Sequence, residues 1–215
     1  PYLFRMIKDT EGNYWITSYG EGIIRFRDNA FKIYDETQGL LSVNDVAEWD
    51  GNLIIATNEG AKILENSEHI RPMGEAVPIK NLFVTPEENL LYTTNTAVFE
   101  FSKTGVSPKL IDEGYYNLLF RQEDKTFLFG TDKIKVVAPD STYFINSHRS
   151  IAIQPIADRF ILCKISGLFQ MDDSKIDTIP GLHPKSHNDF RSLDAINKNE
   201  VLAGSEKKLY HIKLV

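Results

Sequence analysis

One pattern returns six times along this chain. Gly12-Asn13-Tyr14-Trp15-Ile16-Thr17 is followed by Gly22-Ile23-Ile24-Arg25-Phe26, and Gly51-Asn52-Leu53-Ile54-Ile55-Ala56-Thr57 by Gly60-Ala61-Lys62-Ile63-Leu64. Weaker copies run Asn89–Thr94 with Ala97–Phe101, Thr126–Thr131 with Ile134–Val137, Arg159–Ile165 with Gly167–Phe169, and Glu200–Ser205 with Leu209–Ile212. Aligning Thr17, Thr57, Thr94, Thr131, Ile165 and Ser205 gives spacings of 40, 37, 37, 34 and 40 residues. A period in the high thirties, with several short apolar runs in each period, marks propeller blades built as small antiparallel sheets. Helical repeats of that length need apolar residues at 3.6-residue spacing over a dozen positions, and no unit has them. The pattern predicts an all-β β-propeller of about six four-stranded blades, with no helix longer than a turn or two.

Each unit divides in the same way. An apolar run comes first and is read as the inner strand, packed on both faces: Leu3–Ile7, Val43–Trp49, Ile79–Val84, Tyr116–Phe120, Ile151–Ile156 and Phe190–Ile196. A tight polar turn follows, such as Asp50-Gly51 or Glu123-Asp124-Lys125, rich in residues that close hairpins. Two further strands and an alternating outer strand complete the unit, as in Phe31–Tyr34 and Lys175–Ile179. Pro72, Pro78, Pro86, Pro108, Pro139, Pro180 and Pro184 all fall in predicted connections, and Pro155 alone sits within a predicted strand.

The repeats cover approximately residues 1–41, 42–76, 77–113, 114–147, 148–184 and 185–215, and residues 1–215 are read as a single propeller domain or propeller segment. The sixth unit stops after its third strand. A ring without open edges needs its terminal blades to meet. The expectation is therefore a segment of a larger ring, completed by further blades, a strand from a second copy, or Pro1–Arg5, in that order.

Composition narrows the function classes. Twenty-four Lys and Arg against 30 Asp and Glu give a net charge of −6, the wrong sign for a chain that displaces counterions from nucleic-acid phosphates. No apolar run approaches the roughly 20 residues that span a bilayer, so no membrane segment is expected in this chain. The single cysteine, Cys163, excludes a disulfide framework or a cysteine-based zinc site within it. No Asn-x-Ser/Thr acceptor occurs.

The first unit also carries a family likeness. Met6-Ile7-Lys8-Asp9-Thr10-Glu11-Gly12-Asn13-Tyr14-Trp15-Ile16-Thr17, then Gly22–Phe26, Phe31–Tyr34 and Gly39-Leu40, resembles the two-component regulator propeller repeat. The second unit matches with Ile54 where the repeat has Trp, and the remaining units keep the hydrophobic skeleton. The resemblance implies a seven-bladed or tandem propeller, the periplasmic or extracellular sensor of a hybrid histidine kinase of the Bacteroidetes type. It further implies a carbohydrate or other small ligand, and a kinase region as signalling partner.

Candidate chemistry is sparse. Trp15 and Thr17 belong to the repeat and are read as structural. His183 and His187 stand four apart, but Pro184 blocks the helix that would bring both rings to one face, so no metal is expected. Asp172-Asp173-Ser174 with Asp177 lacks the glycine and closing Glu of a calcium loop. No nucleophile elbow, zinc-protease motif or phosphate loop is present, so neither catalytic residues nor a cofactor are assigned.

What remains is the end of the blades where the loop entering each first strand meets the turn between strands two and three. Arg5, Tyr19, Asn44, Asn58, Lys80, Tyr115, Tyr116, His148, Arg149 and Arg191 fall there, and they are the candidate ligand-binding residues. Aromatic faces beside amides and forked Arg donors suit a sugar or an anionic oligosaccharide. Two rival readings remain open. One is a propeller-type glycoside hydrolase or lyase, which needs converging carboxylates. The other is a protein–protein scaffold, which needs an exposed apolar patch.

Overall fold

The computed structural model describes residues 3–18, 22–27, 30–66, 68–105, 107–156, 159–164, 166–172, 175–179, 190–205 and 208–214. Contact density divides the chain into two compact units, Pro1–Leu119 and Phe120–Val215.

The first unit holds three four-stranded sheets, each a simple antiparallel up-and-down meander. They are β1 (Leu3–Lys8), β2 (Tyr14–Ser18), β3 (Gly22–Arg27) and β4 (Ala30–Tyr34); then β5 (Val43–Trp49), β6 (Asn52–Thr57), β7 (Gly60–Glu65) and β8 (His69–Met73); then β9 (Asn81–Val84), β10 (Leu90–Thr93), β11 (Ala97–Phe101) and β12 (Lys109–Glu113). The division between the units falls inside β13 (Leu118–Gln122). That strand heads a sheet with β14 (Lys125–Phe129), β15 (Lys133–Ala138) and β16 (Ser141–Asn146). The second unit continues with β17 (Ser150–Ile156), β18 (Arg159–Lys164), β19 (Gly167–Met171) and β20 (Ile176–Thr178). A three-stranded sheet follows, made of β21 (Phe190–Asn197), β22 (Glu200–Ser205) and β23 (Leu209–Lys213). Among the described residues the only helical element is a single 3-10 turn, Glu36–Gln38, capped by Asp35 and stopped by Gly39 at φ 81°.

The first strands neighbour one another within each unit, with β5 packed against both β1 and β9, and β17 against β21. Burial peaks one strand further out than the sequence suggests. In β6, Leu53 to Thr57 are all buried, and so are Phe160 to Lys164 in β18, whereas β5 mixes buried with half-buried positions and β17 is half-buried between its two ends. The cause is topological. A second strand is flanked by a strand on each side and covered by a sheet on each face, whereas a first strand has only one hydrogen-bonded neighbour. Each fully covered Ile or Leu there contributes about 1.5–3 kcal/mol. Pro72 also departs from expectation. It lies within β8, opposite Lys62, on the outermost strand of its sheet, where a missing N–H breaks no ladder. Pro155 lies within β17, opposite Phe160. Pro180, Pro184, His183 and His187 lie outside the described residues.

The repeat motif of the first sheet is a hydrogen-bond lattice. Asp9 Oδ2 accepts from Trp15 Nε1 and Asn13 Nδ2 at 2.7 Å each, and Asp9 Oδ1 accepts from Asn13 N at 2.7 Å. Asn13 Oδ1 in turn accepts from Arg25 Nε and Nη2 at 3.1 and 2.9 Å, while the Arg25 guanidinium lies over the Trp15 ring. Gly12 makes the hairpin turn at φ 87°. Partial burial pulls the Asp9 carboxyl upward, but these donors outweigh it and hold it below the ordinary carboxylate value. Replacing Asp9 with Ala is expected to cost about 1–3 kcal/mol in urea unfolding at neutral pH, because buried donors lose their acceptor. A depressed native pKa means that Asp9's contribution is present at neutral pH and lost as the solution is acidified through that pKa, so wild type and D9A converge in acid.

Candidate functional site

The first strands carry a recurring irregularity near their beginnings. Pairing with the second strand skips one residue between Leu3 and Arg5, Val43 and Asp45, Ser150 and Ala152, and Phe190 and Ser192. Such a bulge re-aims the side chains beside it. Asn44 and Arg191, both predicted ligand residues, are the skipped residues of β5 and β21.

In the first unit this bulge builds a cluster across three sheets. Asn44 Nδ2 donates to Asn58 Oδ1 at 3.0 Å and to the Ile79 carbonyl at 2.7 Å, and Lys80 Nζ donates to the same Asn58 oxygen at 2.7 Å. Asn58 lies in the β6–β7 turn, while Ile79 and Lys80 lead into β9. Arg5 joins the cluster through Asp45. Asp45 Oδ2 accepts from Arg5 Nη1 and from Leu82 N at 2.9 Å each, and Oδ1 accepts from Val46 N at 2.8 Å. The Asp45 side chain is 2% exposed and that of Arg5 47%. Burial pushes the Asp45 carboxyl up to about 6, against the opposing pull of Arg5 and the two amides. Sequence reasoning did not select Asp45 as a site residue. Its position inside the apolar run Val43–Trp49 is the signal that marks it as buried and committed.

The result is an open patch of donors. Asn58 is exposed, and among the described residues its Nδ2, two further protons of Lys80 and the remaining guanidinium donors of Arg5 have no protein acceptor. The patch can therefore receive hydroxyl or carboxylate oxygens from several directions. A cavity of about 520 Å³ in this unit lies elsewhere and is mostly apolar, walled by Met73, Val77, Pro78, Tyr92, Phe99 and Phe101.

The other predicted residues are placed separately. Tyr115 is exposed, whereas Tyr116 is half-buried and donates its hydroxyl to Asp112 Oδ2 at 2.5 Å. Burial and that carboxylate push the Tyr116 phenol well above its ordinary value, so its hydroxyl serves the fold. Tyr19 lies outside the described residues. In the second unit, His148 and Arg149 are exposed in the connection into β17, and Arg191 lies near enough to Cys163 for its charge to act on that buried thiol. His148 lines a cavity of about 340 Å³ together with Lys164. Lys164 was missed, although a lysine closing the run Phe160–Cys163 is a visible anomaly.

No family model matches the chain. No curated protein matches it either. Solved structures do. The chain is similar to the extracellular domain of a putative hybrid two-component system from B. thetaiotaomicron, with a TM-score of 0.80, 14% identity, and coverage of 99% of this chain and 32% of that one. A second such domain from the same organism gives 0.59 and 10%, covering 99% and 44%. Virginiamycin B lyase from Staphylococcus aureus gives 0.67 and 10%, covering 99% and 84%. The chain thus spans about a third of the length of the first of these. These likenesses establish the β-propeller fold.

Asp45 generates a test. Replacing it with Asn places an NH2 group where two donors meet an acceptor, and is expected to cost about 2–4 kcal/mol at neutral pH. Because the native carboxyl titrates near 6, above its unfolded value, native protein takes up a proton as the pH falls through 6 before the unfolded chain does. Wild type gains stability over that window and D45N does not. Urea unfolding at a series of pH values should show the gap between them widening toward acid.

Proposed function

We propose that this chain is a non-catalytic ligand-sensing propeller segment, the sensor portion of a bacterial two-component regulator acting in the periplasm or outside the cell. Its ligand is a carbohydrate or comparable small molecule with acidic or hydroxyl oxygens, received over Arg5, Asn44, Asn58 and Lys80. The single observation that carries this reading is the joining of these residues from three sheets through the Asn58 oxygen and the Asp45 carboxylate, which leaves donors of Arg5, Asn58 and Lys80 to spare. Arg and Lys donors with an amide between them favour carboxylate-bearing sugars. Likeness in fold to extracellular domains of hybrid two-component systems supports the sensory role and the location.

A non-catalytic role accords with the state of Asp45. Its oxygens are taken by Arg5, Leu82 and Val46, and its titration answers to burial, Arg5 and two amides rather than to a second carboxylate. Glycoside hydrolysis by paired acids needs two carboxyl groups facing one bond.

The test is a glycan array followed by calorimetry with uronate-containing oligosaccharides and their neutral counterparts. Acidic fragments are expected to bind, and N58A together with K80M is expected to weaken them about tenfold or more while the protein stays folded. Absence of binding across the array, or affinity indifferent to these substitutions, would overturn the ligand assignment. Release of product on prolonged incubation would overturn the non-catalytic reading.

A further inference from the structure

The turn between the second and third strands is closed by a hydroxyl in three of the sheets. Thr57 Oγ1 donates to the Gly60 carbonyl at 2.8 Å, Thr94 Oγ1 to Ala97 at 3.2 Å, and Ser205 Oγ to Lys208 at 3.1 Å. Register gives the equivalent position in the β18–β19 turn. Thr57 lies opposite Gly60, and Lys164 lies opposite Gly167. A lysine therefore stands where a hydroxyl suffices elsewhere, one residue before the Ile165 that sequence alignment places there.

Lys164 is 5% exposed. Its Nζ lies 4.8 Å from the centroid of the Phe169 ring, and among the described residues no hydrogen bond or ion pair engages it. Carrying an ammonium on so buried a side chain, with no anion among the described residues, costs solvation, and a cation–π contact of about 1–2 kcal/mol offsets only part of that cost. Burial accordingly lowers the pKa of the amine. The side chain lines the 340 Å³ cavity of the second unit, with Ser147, His148, Ser166, Phe169 and Ile176, and with exposed Asp132 also in the lining. That volume is within the range of small-molecule sites.

We propose that this cavity binds a small molecule bearing a single carboxylate, with the carboxylate paired to Lys164 and the apolar portion resting on Phe169 and Ile176. The missing element at Lys164 is a negative charge, and the walls beside it supply an apolar ring and a branched side chain. Asp132 disfavours a dianion, so inorganic phosphate is a poor occupant.

Saturation-transfer NMR and calorimetry on the whole chain test this with acetate, phenylacetate and 3-phenylpropanoate, against phenylacetamide and inorganic phosphate. The aryl carboxylates should bind about tenfold or more tightly than phenylacetamide and than phosphate. K164M keeps the aliphatic stem, and it should abolish that preference, bringing the affinity for phenylacetate down to that for phenylacetamide. A second measurement needs no variant. Mass spectrometry of wild-type protein treated with an amine-acylating ester should show Lys164 protected by phenylacetate and not by the amide. Failure of all three carboxylates to bind, equal binding of acid and amide, phosphate binding as tightly as phenylacetate, or absence of protection would each overturn the proposal.

Discussion

The buried carboxylate of Asp45 is the constraint on which the candidate site rests. It receives a guanidinium from β1, an amide from β9 and an amide of its own strand, so one side chain ties together the first strands of three sheets. Charge burial of this kind is tolerated only when both carboxylate oxygens find donors. Because the oxygens are used in this way, the ligand-facing work passes to neighbours. Arg5 is held by one nitrogen and presents the rest, and the bulge that seats Asp45 frees Asn44 to reach Asn58 and Ile79. Rigidity behind the patch and spare donors in front of it have a single cause.

The repeat explains which residues are at liberty to vary. Positions that close turns or fill the second strand are occupied for packing, and their substitutes remain apolar or hydroxyl-bearing: Trp15 over Tyr34 in one sheet, Phe127 against Phe160 in the second unit. A charged residue at such a position costs stability and needs an offsetting gain. Lys164 at a turn-closing site and Asp45 within an apolar strand are two such departures. Asp45 has its donors within the chain, and Lys164 has among the described residues only the face of the Phe169 ring.

Much of the fold was legible because it depends on local signals. Hairpin turns such as Asp50-Gly51 and short apolar runs recur, and the period counts the blades without reference to any distant contact. Thr17 was correctly read as structural, since its hydroxyl accepts from the Arg5 amide. The burial maximum was misplaced because an apolar run reads alike in a first and a second strand, and only stacking of sheets distinguishes Val43–Trp49 from Leu53–Thr57. Of the site, the meeting of Asn44, Asn58 and Lys80 followed from blade topology. The commitment of Tyr116 to Asp112 did not, because it depends on which way a loop tyrosine turns.

Charge distribution bears on the acidic ligand proposed above. The chain carries a net charge of −6, yet the donor patch gathers Arg5 and Lys80 while the Asp45 carboxylate beneath is buried and titrates near 6. A cationic patch on an acidic body discriminates by shape as well as by sign. A long polyanion is repelled by the surrounding surface, whereas a small anion feels mainly the local donors. Debye screening over about 8 Å at physiological salt sharpens that distinction, because it confines attraction to ligands already near the patch. On the proposed reading, few charges suffice, because Arg5 is held in place by the buried Asp45 carboxylate and Lys80 by the amide of Asn58.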